Sequence, residues 1–225
     1  MAIQAGTKRL RGWWFGDETV HGTPVAGTER KGWSGPMVIE PNWTDQDDID
    51  VGSIDTQQPP FRTQTDVTAE VSGALAFNDI PGILDMGIRG GVTGVGGGTA
   101  KTWTHTALSL TATTLGTQTG YWADEVVADG MRGTSGILES FELGFDESLG
   151  PWQFSGSLRF AAGDAHVSPP ASVLMGSNVA LVFGADTALY IDDTAAGIGV
   201  TQISDAVHRA SVRVENTIDQ KRYAN

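Results

Sequence analysis

Two runs of alternating apolar residues, joined by a link made of turn formers, constrain this chain more than any other feature. Between Ile137 and Phe160, the residues Phe141, Leu143 and Phe145 alternate with polar neighbours on the way in, and Trp152, Phe154, Leu158 and Phe160 alternate on the way back. Successive side chains of an extended strand point to opposite faces, so a period of two buries one face and leaves the other in water. The link Asp146-Glu147-Ser148-Leu149-Gly150-Pro151 supplies the turn, and the pair reads as a β-hairpin. The same period recurs from Asp66 to Phe77, with Val67, Ala69, Val71, Leu75 and Phe77 on one face and Asp66, Thr68, Glu70 and Ser72 on the other. A later run sets Ala210, Val212, Val214 and Ile218 against Arg209, Ser211, Arg213 and Glu215, and short apolar runs at Val179–Phe183 and Ala188–Ile191 complete the inventory. Thirty glycines and nine prolines in 225 residues punctuate these runs, and no long stretch carries a helical period. The expected class is mainly β.

One segment departs from it. Asn78-Asp79-Ile80-Pro81-Gly82-Ile83-Leu84-Asp85-Met86-Gly87 has Asn or Asp in the capping place, Pro in the first turn, apolar Ile80, Ile83 and Leu84, and Gly as terminator. It predicts a short helix near 79–86, closing one end of a β-sandwich. The following stretch, Gly90 to Thr99, is too rich in glycine for a strand and reads as a mobile loop. Three parts are expected: residues 1–36 as an N-terminal arm or extended segment, 37–164 as the sandwich core, and 165–225 as C-terminal strands that complete it or form a second small β part.

The 27 acidic residues outnumber 14 basic ones, giving a formal charge of −13. Gripping nucleic acid requires clustered Lys and Arg that displace counterions, so a free-standing nucleic-acid binder is disfavoured, although a surface that DNA merely passes is not. The absence of cysteine removes disulfide frameworks, thiolate zinc sites and cysteine nucleophiles together. The start of the chain has no apolar targeting region, and no run of eighteen apolar residues occurs, so a chain made soluble and not inserted in a membrane is expected.

The chemical motifs are weak. His21, His105, His166 and His208 are far apart, with none of the spacings that make a metal site. The run Asp45-Gln46-Asp47-Asp48-Ile49-Asp50 offers carboxylates to a hard cation, but Ile49 stands where a ligand belongs and the turn glycine and closing glutamate of a calcium loop are missing. The Gly90–Gly98 loop lacks the Lys-Ser/Thr of a phosphate loop, no Gly-x-Ser-x-Gly elbow occurs, and Asp124/Glu125 and Asp146/Glu147 are ordinary pairs in an acidic protein. Neither catalysis nor a cofactor is expected. Trp13, Trp14, Trp33 and Trp43 suit core or interface anchoring, or a sugar platform.

Thr65 to Gly87, followed by a glycine-rich loop and Lys101-Thr102-Trp103-Thr104-His105-Thr106, resembles the major tail tube proteins of long-tailed bacteriophages. The Gly136–Phe145 strand answered by Trp152–Phe160, and Ala188 to Asp193 continuing through Ile198-Gly199, resemble the same family. The resemblance implies a β-sandwich with a flanking helix, assembled with copies of itself into hexameric or pseudo-hexameric rings through an inner β-barrel. The rings stack into a hollow tube in the virion tail, assembled in the host cytoplasm. Its implied partners are a tape-measure protein and a tail terminator, with double-stranded DNA passing through without tight binding. On this reading Asp66, Glu70 and Glu142 are candidate lumen-facing acids, because an acidic wall repels phosphate. Trp13, Trp14, Trp33, Trp43, Gly96 and Gly97 are candidate contacts between subunits. Two alternatives stay open: a secreted or surface β-sandwich that binds carbohydrate, and another structural protein of the virion.

Overall fold

A computed structural model describes residues 11–44, 61–88, 116–124, 129–146, 150–170, 180–184, 189–190, 202–203 and 209–216. Their elements in chain order are β1 (Arg11–Asp17), β2 (Glu29–Lys31), β3 (Met37–Thr44), β4 (Phe61–Ala74), α1 (Ile80–Ile88), β5 (Gln118–Asp124), β6 (Gly130–Asp146), β7 (Gln153–Phe160), β8 (Ala162–Val167), β9 (Leu189–Tyr190), β10 (Gln202–Ile203) and β11 (Arg209–Glu215). The protein is mainly β and its strand pairings are antiparallel.

The 17-residue β6 is the spine. Along one edge it pairs with β7 and then β8, which are separated only by Ala161; the Ala161 N–H donates to the Thr134 carbonyl at 2.9 Å, so the ladder continues through the join. The expected hairpin is therefore present, and its return strand runs on to Val167. Along the other edge, β5 pairs with the beginning of β6 and β11 with its end. β1 and then β2 extend one wing from β5, and β4 and then β3 extend the other from β7, giving nine strands in one sheet. Arg11–Asp17 and Glu29–Lys31, within the stretch expected as an arm or extended segment, are strands of the sheet, and β8 spans the expected division at 164/165. β9 and β10 pair with each other as a separate two-stranded sheet.

The sheet is strongly curled. β1 and β7 are three strand steps apart, about 14 Å in a flat sheet, yet the rings of Trp13 and Phe160 lie 6.4 Å apart and within 3° of parallel. Both wings consequently contribute to one core. An aromatic chain runs through it from Phe160 to Trp13, on to Phe15 at 5.5 Å, Trp33 at 5.3 Å and Phe154 at 4.5 Å. Val67, Ala69, Val71, Leu75, Leu138, Phe141, Leu143 and Leu158 fill the space around it, so the inward faces expected for β4, β6 and β7 are the buried ones. A smaller cluster of Trp14, Tyr121 and Ala123 covers the other side of β1.

Glycine makes this packing possible. A Cβ at Gly120, Gly133 or Gly136 would stand 2.7, 2.4 or 2.5 Å from atoms of the Phe160 ring, so three bare backbone positions on β5 and β6 form the socket for that ring. Gly87 serves Phe141 in the same way, at 2.3 Å. This corrects its expected role as helix terminator: α1 continues to Ile88, and Gly87 lies in its last turn where the helix meets β6. The start of α1 matches the sequence pattern, with the Asp79 carbonyl accepting the Ile83 N–H at 3.0 Å and Ile83 and Met86 buried. Phe77, expected to face inward, is half exposed because β4 ends at Ala74 and its alternation ends there. Val212 is also exposed, since β11 lies at the margin of the sheet.

The spine bends where Ser135 adopts a left-handed backbone with φ of 55°. Glu18 stabilises the bend. Its carboxylate accepts the Ser135 N–H at 2.8 Å, the Thr117 and Thr119 hydroxyls at 2.8 Å each, and the Gly22 N–H at 3.0 Å. Burial acts to raise its pKa, but these donors outweigh burial and hold the carboxyl below its ordinary value.

Two tests follow from the packing and the bend. Gly136→Ala should lose about 1–3 kcal/mol in urea unfolding through overpacking against Phe160, whereas Gly82→Ala, in ordinary contact within α1, should gain about 0.5–1 kcal/mol. Glu18 has a depressed folded-state pKa, so its contribution is present above pH 4.5 and is lost as pH falls through the lower folded value. Glu18→Gln should be less stable than the parent at neutral pH by about 1–3 kcal/mol, and the difference should shrink on acidification; parallel unfolding curves across pH would contradict the assignment.

Candidate functional face of the sheet

The strand register decides which polar residues share a surface. Directly opposed residues of an antiparallel pair point to the same side. Asp66 opposes Glu40, Glu70 opposes Ser157, and Ser155 opposes both Ser72 and Glu142. Glu142 in turn opposes Arg213. Because Asp66, Glu70 and Ser72 also alternate along β4, the three candidate acids lie on one face of the five-strand path β3–β4–β7–β6–β11, directed away from the aromatic core.

Hydroxyl and charged groups dominate this face. The Ser157 hydroxyl donates to Glu70 at 2.8 Å, Asn42 Nδ2 donates to Asp66 at 2.8 Å, and the Ser34 hydroxyl donates to the Ser72 carbonyl at 3.0 Å. Arg159 reaches Glu139 at 3.3 Å, and Arg213 reaches Glu215 at 2.6 Å. Charge is unevenly distributed across the strands: Glu40 lies on β3, Asp66 and Glu70 on β4, Arg159 on β7, Glu142 on β6, and Arg209, Arg213 and Glu215 on β11. Among the described residues, β3 and β11 are the two margins of this path, each paired on one side.

The other candidates lie elsewhere. Trp13 and Trp14 are 0% exposed and Trp33 is 4% exposed, so these rings are buried within the chain's own fold and are not surface residues. The Trp13 indole N–H donates to the Gly35 carbonyl at 2.9 Å. Gly35 itself has φ of 118°, and a Cβ there would overlap the Glu70 carbonyl oxygen. Trp43 opposes Arg62 near the end of β3, just past a bulge. Gly96, Gly97, the Gly90–Thr99 loop, the Asp45–Asp50 run, His105, His208 and Ile218 lie outside the described residues. His21 is exposed, and His166, at φ of 59°, meets Asp129 at 2.6 Å on the surface. Among the described residues, no three His, Asp or Glu side chains are arranged to hold a metal ion, and no helix is long and apolar enough to cross a membrane.

A second polar cluster forms where β1, β2, β5 and α1 converge, and no sequence motif announces it. Lys31 is 94% buried and its Nζ lies 2.8 Å from Glu29 Oε2 and 3.0 Å from Asp79 Oδ1. Burial acts against its charge, but Asp79 and Glu29 outweigh burial and hold Lys31 above its ordinary range. Asp17 is raised by burial and by the negative charges of Asp85 and Glu29, against a hydrogen bond from Gln118.

No protein-family model matches the chain, and no curated protein matches it in sequence.

Sequence alternation alone indicated Asp66, Glu70 and Glu142; Glu40, Arg159, Ser155 and Ser157 join them only through cross-strand register. Because this face is hydrated and separate from the core, the triple variant Asp66→Lys, Glu70→Lys, Glu142→Lys should fold normally. Its stability should stay within about 0.5 kcal/mol per site, read from its urea midpoint against the parent; a molten or insoluble product would show that the face is structural.

Proposed function

We propose that this chain is a non-enzymatic, self-assembling tail tube subunit of a long-tailed bacteriophage. Copies join edge to edge into rings, and the rings stack into a hollow conduit for viral DNA. The observation that carries the reading is the hydroxyl-rich, predominantly acidic face of the β3–β4–β7–β6–β11 path, with Glu40 on its β3 margin and Arg209 and Arg213, beside Glu215, on its β11 margin. A conduit must let DNA slide. Carboxylates repel phosphate and offer no counterion-release affinity, while serine and threonine keep the wall wetted without a fixed positive charge.

The margins support assembly. Exposed strand edges invite pairing with another chain, and joining β3 of one copy to β11 of the next closes them into an inner barrel. Such a head-to-tail contact makes a ring when its rotation closes, with six copies as the family resemblance implies. It brings Glu40 of β3 to the margin that carries Arg209 and Arg213 of the neighbour, while Asp66, Glu70 and Glu142 stay on the open face. In this reading the partners are further copies of the chain, a tape-measure protein and a tail terminator, and the site of action is the virion tail. A carbohydrate module using tryptophan platforms is the poorer reading, because Trp13, Trp14 and Trp33 are buried.

Purified protein should form rings or tubes in negative-stain micrographs, and a strict monomer at high concentration would overturn the proposal. Arg209→Glu with Arg213→Glu should weaken ring formation. The lysine triple variant on the acidic face should still assemble, with infectivity falling at the DNA-delivery step; unchanged infectivity would detach the charge from the function.

A further inference from the structure

We propose that Lys31 and Asp79 become joined by an isopeptide bond that the protein forms on itself, with Glu29 as the proton acceptor. This inference is independent of the tube reading. Lysine side chains are rarely buried, because the long stem normally carries the ammonium back to water. Lys31 instead occupies an inward position of β2. It opposes Trp13 across the strand pair, and Trp33 follows two residues later; both rings are buried. Asp79 is held just ahead of α1 by its backbone bonds to Ala76 and Ile83, with its side chain only 13% exposed. The Lys31 nitrogen therefore meets the Asp79 carboxyl at 3.0 Å in a place from which bulk water is largely excluded. Contact at this distance between fixed groups gives the high effective concentration that lets an intramolecular condensation proceed.

Glu29 completes the arrangement. It lies two residues before Lys31 on the same face of β2, touches Nζ at 2.8 Å and is 64% exposed, so it links the buried pair to solvent. Asp17 and Asp85 add negative charge to the same cluster.

The step is balanced. The Lys31 ammonium gives one proton to Asp79 Oδ1 across their 3.0 Å contact, which makes that carboxyl oxygen a hydroxyl. The freed Nζ lone pair attacks Cγ and forms the C–N bond. Glu29 then takes a second proton from the nitrogen and delivers it to the departing hydroxyl, which leaves as water. An ammonium and a carboxylate become an amide and one water, with no oxidant, reductant or cofactor.

Intact-mass spectrometry of the purified full chain tests this directly. The expected mass is lower than the sequence mass by one water, and a tryptic digest should contain a branched peptide joining the Lys31 and Asp79 segments. Lys31→Arg should run at the full mass of its own sequence, with no water lost. Glu29→Gln, at an exposed position, should fold and remain uncondensed. Natively folded parent protein at its full sequence mass would overturn the proposal, and a Glu29→Gln chain that condenses as fast as the parent would overturn the role of Glu29.

Discussion

The contact between the Phe160 ring and the bare backbone at Gly120, Gly133 and Gly136 is the constraint on which the rest of this fold depends. A long hairpin by itself is a ribbon with two faces to cover. Only when Phe160 sinks between β5 and β6 can Trp13 of one wing stack on it, and only then do Phe15, Trp33 and Phe154 complete an aromatic chain that ties β1 to β7. Close packing leaves few voids, so the missing side chains at three positions are as specific as the ring that fills their space. The curl of the sheet follows from that fit.

Curling forces the spine to bend, and a bend breaks the regular ladder. Ser135 in a left-handed conformation presents its N–H away from the strand pairing, where an unpartnered donor would be costly. Glu18 removes that cost with one carboxylate that also fixes Thr117, Thr119 and Gly22. The segment between β1 and β2 is thereby attached to the start of β5, and Tyr121 reinforces the link through its hydroxyl on the Val25 carbonyl at 3.0 Å. Lys31 performs a comparable task at the other end of β2, connecting that strand to the head of α1. Apolar packing thus sets the shape, and the contacts of Glu18 and Lys31 hold the segments that packing leaves loose.

How much of this was legible in the sequence depends on the range of the signal. The inward faces of β4, β6 and β7 and the presence of α1 follow from period and capping, which are properties of neighbouring residues. Phe77 was misassigned because alternation says nothing about where a strand stops, and Gly87 because a glycine near a helix end looks the same whether it terminates the helix or receives a ring. Glycines 120, 133 and 136 read naturally as turn punctuation; their partner lies on another strand, beyond the reach of any local pattern. The acidic face was half legible. Asp66, Glu70 and Glu142 stood out by alternation, but Glu40 and the serines of β7 join them only once register is known. Trp13, Trp14 and Trp33 looked equally suited to an interface and a core; the curl buries Trp13 and Trp33, and Tyr121 and Ala123 cover Trp14 on the other side of β1.

The division of charge between the margins of the acidic face has a physical implication for any assembly built from it. In the proposed assembly, Glu40 on β3 and the two arginines of β11 would favour contact between unlike margins over a symmetric back-to-back pair. The regular part of β3 is limited by Pro41 and by the bulge between Asn42 and Trp43. Continuous pairing along that margin therefore draws on Met37–Glu40, the stretch that carries the acid. Proline and bulges are the usual devices for blunting an edge against indiscriminate aggregation. Among the described residues they leave one short, negatively marked length unpaired along its outer side. In the proposed ring, a short edge marked by charge would favour one repeating contact over an amorphous stack of sheets.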